Sequence, residues 1–392
     1  MFAILIKLAF VSWMIGISIA LPTARAKVSL MTVEETRLES LGDSQPELAE
    51  LILEREGVWA RRLSQLRDYH GALKMVQSLG QALWQSERHN LQSGLVFDDR
   101  PLYWQRLALT RLIRIRGVSL GFSAAETASV IRAFEGASQG RSNVSWHKEG
   151  ARRILLTGFD PFALDRNLGQ SNPSGLIALA LDGEVIEAGG EWFEINAVLF
   201  PVRYADFDEG VLEDWLTPIL LGSRVALLAT ISMGRDQFDL ERYPGRRRSS
   251  AALDNLRRHT GGSLKTPQVP FFRGEPIDGP EFMEFSLPVD AMQRVKGDFK
   301  VRDNRRVVTL ERGALTAKTL RELQDQIAVA GSGGGYLSNE ISYRSLILAK
   351  NLQLTLPIGH IHTPRVLGFD VVLERKIVDQ TRKLILAAVK HR

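Results

Sequence analysis

The spacing of apolar residues changes near residue 150. Through 27–150 they recur every three or four positions, the period of amphipathic helices. Helices are expected over 34–54 and 58–84, with Leu51, Leu53, Val58, Leu63, Leu66 and Leu73 marking the buried stripe. Two more are expected over 103–114 and 123–134, where Ser123 is placed to cap the start. Asp98-Asp99-Arg100-Pro101 separates the two groups, and 136–150 is polar and rich in Gly and Ser, as a linker would be.

From Arg152 onward, short continuous apolar runs alternate with amphipathic stretches. Strands are expected at 154–158, 193–200, 225–230, 327–330 and 356–362, and helices at 174–181, 206–221, 336–351 and 371–390. This alternation predicts an α/β fold, a mainly parallel sheet with helices on both faces, preceded by an α-helical N-terminal region. Ligands of such sheets sit beyond the carboxyl ends of the strands. Gly158, the segment after Thr230, the Gly331 turn and His362 are expected there. The stretch 245–320 is less regular and is expected to hold loops and a hairpin. The organisation expected is a signal peptide at 1–26, a helical region with linker at 27–150 and an α/β domain at 151–392. The α/β domain is expected to fold without the helices.

Composition narrows the classes. The chain has 392 residues, 44% hydrophobic and 24% charged, which is ordinary globular material. The net charge of +5 is spread thinly. Its tight clusters, Arg246-Arg247-Arg248 and Arg305-Arg306, lack interleaved aromatics, which points away from nucleic acid and toward a solvated arginine face. There is no cysteine, so disulfides, thiolate metal sites and a cysteine nucleophile are excluded. Lys7, the apolar stretch 8–21 and Ala24-Arg25-Ala26 form a secretory leader pattern cleaved after Ala26, with an uncleaved anchor as the alternative. Cleavage implies a periplasmic or extracellular protein with no stable membrane span.

Four blocks carry chemistry. The first is Thr157-Gly158-Phe159-Asp160-Pro161-Phe162 with Asn172-Pro173-Ser174, a strand-ending turn followed by a helix start. The second is Gly234-Arg235 through Glu241-Arg242, which taken alone reads as a surface ion pair. The third is Gly331-Ser332-Gly333-Gly334-Gly335-Tyr336-Leu337-Ser338, a turn into a helix. Helix N-termini offer free N–H groups to a developing oxyanion. There Ser338 serves as a nucleophile or merely as a cap, and the glycines as a turn or a phosphate cradle. The fourth is His360-Ile361-His362-Thr363-Pro364, whose histidines share one face of a strand as a base or a metal pair.

In this order and spacing the blocks resemble those of pyroglutamyl peptidase type I (pyrrolidone-carboxylate peptidase), over 152–392 with an insertion around 302–326. That family is a cysteine peptidase with a Cys-His-Glu triad. The resemblance implies Ser338 in the nucleophile slot, His362 as general base and Glu241 orienting it. It also implies Phe159 and Phe162 as walls for a flat lactam, with Asn172 and Arg235 in the substrate site. Departures are Ser338 for cysteine, Ile231 for a glutamine, Ala163 for a glycine, and Tyr243-Pro-Gly-Arg-Arg-Arg248 for an apolar stretch. Two functions follow. One is an exported hydrolase removing N-terminal pyroglutamate or a related blocked residue from peptides. The other is an inactive relative that binds peptides or proteins. Neither needs a metal or cofactor, and a homo-oligomer is compatible with both.

Overall fold

The computed structural model describes residues 31–142 and 144–390; the expected signal segment 1–26 lies outside the described residues. Short turns at Val33–Thr36, Arg37–Ser40 and Leu41–Ser44 lead into helices α1 (Pro46–Ser64), α2 (Tyr69–Gln92), α3 (Arg100–Ser119) and α4 (Ala124–Ser138). The apolar period over 58–84 hides a break. Asp68 caps α2 by accepting from the Gly71 N–H at 2.8 Å, so α1 and α2 are separate. Ser123 caps α4 as expected, in a reciprocal box with Glu126. The buried stripe of α1 is Leu48, Ile52, Trp59 and Leu63. Leu53 and Val58 face solvent instead, because helical rotation carries them off that stripe.

The seven strands of the main sheet are β1 (Arg152–Phe159), β2 (Val185–Ala188), β3 (Glu191–Phe200), β4 (Val225–Met233), β5 (Phe238–Glu241), β6 (Val301–Asn304) and, after a smaller sheet, β10 (Ile358–Thr363). Their order is β2-β3-β1-β4-β10-β5-β6. The central four, β3, β1, β4 and β10, are parallel, and β2 and β5 enter antiparallel. The central strands are almost wholly buried, and in β1 and β4 this shows as continuous apolar runs, whereas β3, with Glu194 and Asn196, reads as alternating. Helices α5 (Pro173–Leu181) and α8 (Val371–Lys390) pack together on the sheet, as do α6 (Val211–Gly222) and α7 (Leu337–Asn351).

Two expectations are revised. The helix over 206–221 breaks at Gly210, whose φ of 89° ends one short helix and starts α6. The strand at 327–330, β9 (Ala328–Ala330), joins β7 (Arg306–Thr309) and β8 (Gly313–Thr316) in a separate antiparallel sheet, so the Gly331 turn does not end a main-sheet strand. The irregular stretch also holds the expected hairpin, Phe271–Phe272 with Glu275–Pro276.

The helical region is docked on the sheet rather than tethered to it. Residues 136–140 are buried, and Gln139 offers its carbonyl to the Leu199 N–H at 2.9 Å. One apolar core runs from Leu79, Leu102 and Phe134 to Leu176, Leu179 and Phe200. Buried charge crosses the same seam. Arg106 of α3 donates two hydrogen bonds to Asp160, at 2.6 and 2.7 Å, and Gln139 adds a third at 2.9 Å. Removing one partner of such a pair costs about 3–5 kcal/mol, because it strands the other charge. Arg203, just before the short helix Tyr204–Asp208, reaches back to Glu135 of α4 at 2.8 Å and to Glu34 at 3.3 Å.

A second junction is built from acids. Asp99 accepts the Asn172 N–H at 3.0 Å, and Ser171 donates to Glu374 of α8. One oxygen of each carboxyl, Asp99 Oδ1 and Glu374 Oε2, is buried without a partner. Burial raises both acids, Asp99 well above the usual range and Glu374 to about 8, with neighbouring acids adding to the rise.

These contacts generate two predictions. A 152–392 fragment exposes the face of α5 that α2 covers, frees the Leu199 N–H that Gln139 holds and leaves Asp160 unpaired; it is expected to show no cooperative thermal transition by circular dichroism, whereas the full chain does. Glu374 is protonated in the folded state and ionises readily when unfolded. Its contribution is therefore fully present below its unfolded value of 4.5 and is lost as pH rises through about 8. Glu374→Gln is expected to flatten that decline and gain on the order of 1–3 kcal/mol at pH 9 in urea titrations; an unchanged pH slope would count against it.

Candidate active site

The parallel strands β1, β4 and β10 end together, and their carboxyl ends open on a small cleft. Phe159 is the last residue of β1, and Phe162 follows in the turn. Ser232 and Met233 end β4, and Tyr336, Leu337 and Ser338 enter α7; Asn172 is also part of the wall. The cavity is only about 40 Å³, far below the range for ligand pockets, and the walls are mostly apolar. Phe159 stacks on Phe207 at 6.2 Å between ring centroids, and Tyr336 meets Tyr204 edge-on at 5.5 Å, so both walls are braced from behind. Ala163, where the resembled family has glycine, adopts a left-handed φ of 61°, which a Cβ disfavours.

His362 and Glu241 are brought together from 121 residues apart. β10 and β5 pair antiparallel with His362 opposite Asp239, which sets Glu241 diagonally across, and His362 Nδ1 lies 2.6 Å from Glu241 Oε1. Glu241 is 1% exposed. Burial raises its carboxyl pKa, while His362 and Asn304 counter that rise. Asn304 donates from Nδ2 to Glu241 Oε2 at 2.8 Å and to the Ser332 carbonyl at 3.0 Å. It thereby ties the acid to the glycine turn that leads to Ser338. Asn304 lies in the apparent insertion, where the sequence carries no signal for it. Its role depends on β6 lying beside β5.

Ser338 occupies the second position of α7, whose cap residue is Tyr336. Ser338 therefore does not cap the helix; its hydroxyl donates to the Gly333 carbonyl at 3.2 Å. No hydrogen bond joins it to His362 among the described residues. The N–H groups of Leu337 and Ser338 have no protein acceptor among the described residues, whereas those of Asn339 and Glu340 turn back to the Tyr336 carbonyl. The helix end is held firmly. Asn339 clasps the backbone of Gly245, at 2.9 Å to its N–H and 2.7 Å to its carbonyl. Arg248 grips Glu340 at 2.6 and 2.8 Å, and Arg344 adds a third bond at 2.8 Å. Burial alone would raise the Glu340 carboxyl, but these two arginines bring it below its ordinary value. The arginine run is thus not a solvated face: Arg247 pairs with Glu281 and Arg246 donates to the Ile277 carbonyl.

The remaining candidates separate. Asn172 lines the cleft but spends its side chain on structure, capping α5 through Ser174 and donating to the Asp160 carbonyl. Arg235 is exposed, and its side chain makes no hydrogen bond among the described residues. His360 is fully buried between the hydroxyls of Thr230 at 2.8 Å and Ser232 at 2.7 Å, so both of its nitrogens are engaged and it does not pair with His362 as a metal ligand. Ile231 is fully buried and points to the opposite face of β4 from Ser232, which carries the polar group at this level of the cleft. The glycine turn is closed on itself and on Tyr243 through Ser332, which leaves no phosphate cradle.

The family described as "PA0049, C-terminal domain" matches residues 153–275 and 277–367, and that described as "PA0049 N-terminal domain" matches 20–135. An uncharacterised protein of Pseudomonas aeruginosa, PA0049, is 28% identical over 449 aligned positions that cover 85% of this chain and 81% of that protein. Solved structures similar to this chain include a mutant pyrrolidone carboxyl peptidase from Pyrococcus furiosus. It is 20% identical, with a TM-score of 0.41, covering 61% of this chain and 99% of that one. Pyroglutamyl peptidase I from Bacillus amyloliquefaciens is 17% identical, with a TM-score of 0.42, covering 62% and 96%. Scores of this size carry no activity from those proteins to this one.

The approach of β4 to β10 behind the dyad generates a prediction. A Cβ on Gly234 would lie 2.6 Å from His362 Cβ and 3.0 Å from the Thr363 carbonyl. Gly234→Ala is expected to push His362 off Glu241, to remove the downfield imidazole N–H proton signal of that bond from the NMR spectrum, and to cost about 1–3 kcal/mol of stability. Retention of the signal at unchanged shift would argue against that contact.

Proposed function

The chain belongs to the family described as "PA0049, C-terminal domain", and from its cleft we propose that it is an exported hydrolase of pyroglutamyl-peptidase type, cleaving a cyclic or blocked N-terminal residue from peptides. The observation that carries this reading is the Glu241–His362 hydrogen bond of 2.6 Å at the carboxyl end of β10, beside β4, whose Ser232 lines the cleft with Ser338. The sequence resemblance, the aromatic walls and the leader pattern at 1–26 support it.

In this reading Glu241 accepts the Nδ1–H of His362 and leaves Nε2 as the proton acceptor. The Ser338 hydroxyl turns from the Gly333 carbonyl toward the substrate. Its Oγ bonds to the acyl carbon while His362 takes the proton. The Leu337 and Ser338 N–H groups receive the oxyanion. Collapse breaks the amide bond, and His362 returns the proton to the leaving amine. Water, deprotonated by His362, then releases the acid from Ser338. Arg235 has no part in these steps.

A second reading is favoured by one observation: Ser338 donates to Gly333 and not to His362. In that reading the cleft binds a peptide end without turnover.

The experiment is cleavage of pyroglutamyl amides by the purified full chain, with prolyl and unblocked amides as controls. The hydrolase reading expects turnover that Ser338→Ala and His362→Ala each lower by at least about 10³-fold, since members of such a unit fail together. Ser338→Cys is expected to retain or raise the rate, because a thiol ionises readily at a helix N-terminus beside an imidazole. If the native chain and a folded Ser338→Cys protein are both silent, the binding reading replaces it.

A further inference from the structure

Beside the proposed dyad lies a hydroxyl–imidazole cluster. β4 and β10 run parallel with Thr230 opposite His360 and Ser232 opposite His362. His360 is fully buried, with Nδ1 2.8 Å from Thr230 Oγ1 and Nε2 2.7 Å from Ser232 Oγ. The direction of these bonds follows the tautomer of His360. The Gly359 carbonyl also lies within reach of the Thr230 hydroxyl, at 3.4 Å, and a proton placed there makes the Thr230 oxygen an acceptor for Nδ1–H. In that tautomer Nε2 is bare and accepts from Ser232. Ser232 is 6% exposed and lines the cleft, so the groups it has left to offer there are lone pairs.

Resting on the reading above, we propose that Ser232, locked by His360, is the hydrogen-bond acceptor that selects ligands carrying an N–H next to the acyl-bearing carbon, as the lactam of a pyroglutamyl group does. Ser232 is a specificity residue and not a second nucleophile. Taking its proton would charge an imidazole that is fully buried and has no carboxylate bonded to it. Desolvation, and secondarily the neighbouring His362, already hold His360 neutral well below the usual histidine range. Ser232 also supplies a polar contact at the level of β4 where Ile231 turns into the core.

The test uses the full chain carrying Ser338→Ala, which binds without turnover. Two probes are titrated calorimetrically: pyroglutamyl amide and the corresponding lactone amide, in which a ring oxygen replaces the N–H and sets lone pair against lone pair. The lactam is expected to bind roughly tenfold more tightly, and adding Ser232→Ala is expected to remove that gap. Equal binding of the two probes to the protein that retains Ser232 overturns this inference and leaves the hydrolase reading standing. Binding of neither probe overturns both. A ligand-free readout decides the bond direction: ¹⁵N NMR of His360 is expected to show Nδ1 protonated and Nε2 bare. The opposite tautomer would aim the Ser232 proton at the cleft and overturn the inference even if Ser232→Ala failed to fold.

Discussion

A carboxylate placed where water cannot reach it must be held on every side, and Asp160 imposes that demand on the whole molecule. It follows directly on Phe159, the residue that ends β1 and forms one wall of the cleft. Its partners, Arg106 and Gln139, come from the helical region, and its own backbone carbonyl accepts from Asn172 at the head of α5. The turn that shapes the aromatic wall is therefore fixed from outside the sheet. The helical region is part of the frame of the site, and its packing on α5 and β3 carries the apolar core across the seam.

The same logic holds the other wall. The start of α7 carries Ser338, Leu337 and Tyr336, and no regular strand of the main sheet leads into it. Its position comes from Asn339 clasping Gly245 and from Glu340 caught between Arg248 and Arg344. A Cβ on Gly331 would sit 2.0 Å from Asn339 Oδ1, so the turn admits no side chain there. Glycine in that turn serves close packing, and the arginines that look like a surface run serve as internal braces.

The two histidines of β10 have opposite electrostatic settings. His362 faces a buried carboxylate. His360, 4.8 Å away between ring centroids and nearly perpendicular, faces only hydroxyls and stays neutral. Two residues on the same face of one strand thus take different chemistry from the neighbouring strands, β5 on one side and β4 on the other.

The sequence by itself determined the local elements wherever burial writes a simple period. The continuous apolar runs of β1 and β4, the alternation of β3 and the amphipathic stripe of α8 were all legible, as was the cap at Ser123. The motif blocks also named Phe159, Phe162 and Ser338, which line one cleft, and Glu241 and His362, which share a hydrogen bond. Tertiary structure decided what those residues meet. The break between α1 and α2, the assignment of β9 to a separate sheet and the burial of 136–140 depend on contacts between distant segments that leave no local period. Asn304 and Ser232 had no motif to announce them, and the motifs of Asn172 and Arg235 did not show that the first is tied to Ser174 and the Asp160 carbonyl while the second is exposed. A side chain's spacing reports its face on an element, whereas its hydrogen-bond partner is set by which elements lie alongside, and that is a property of the folded chain alone.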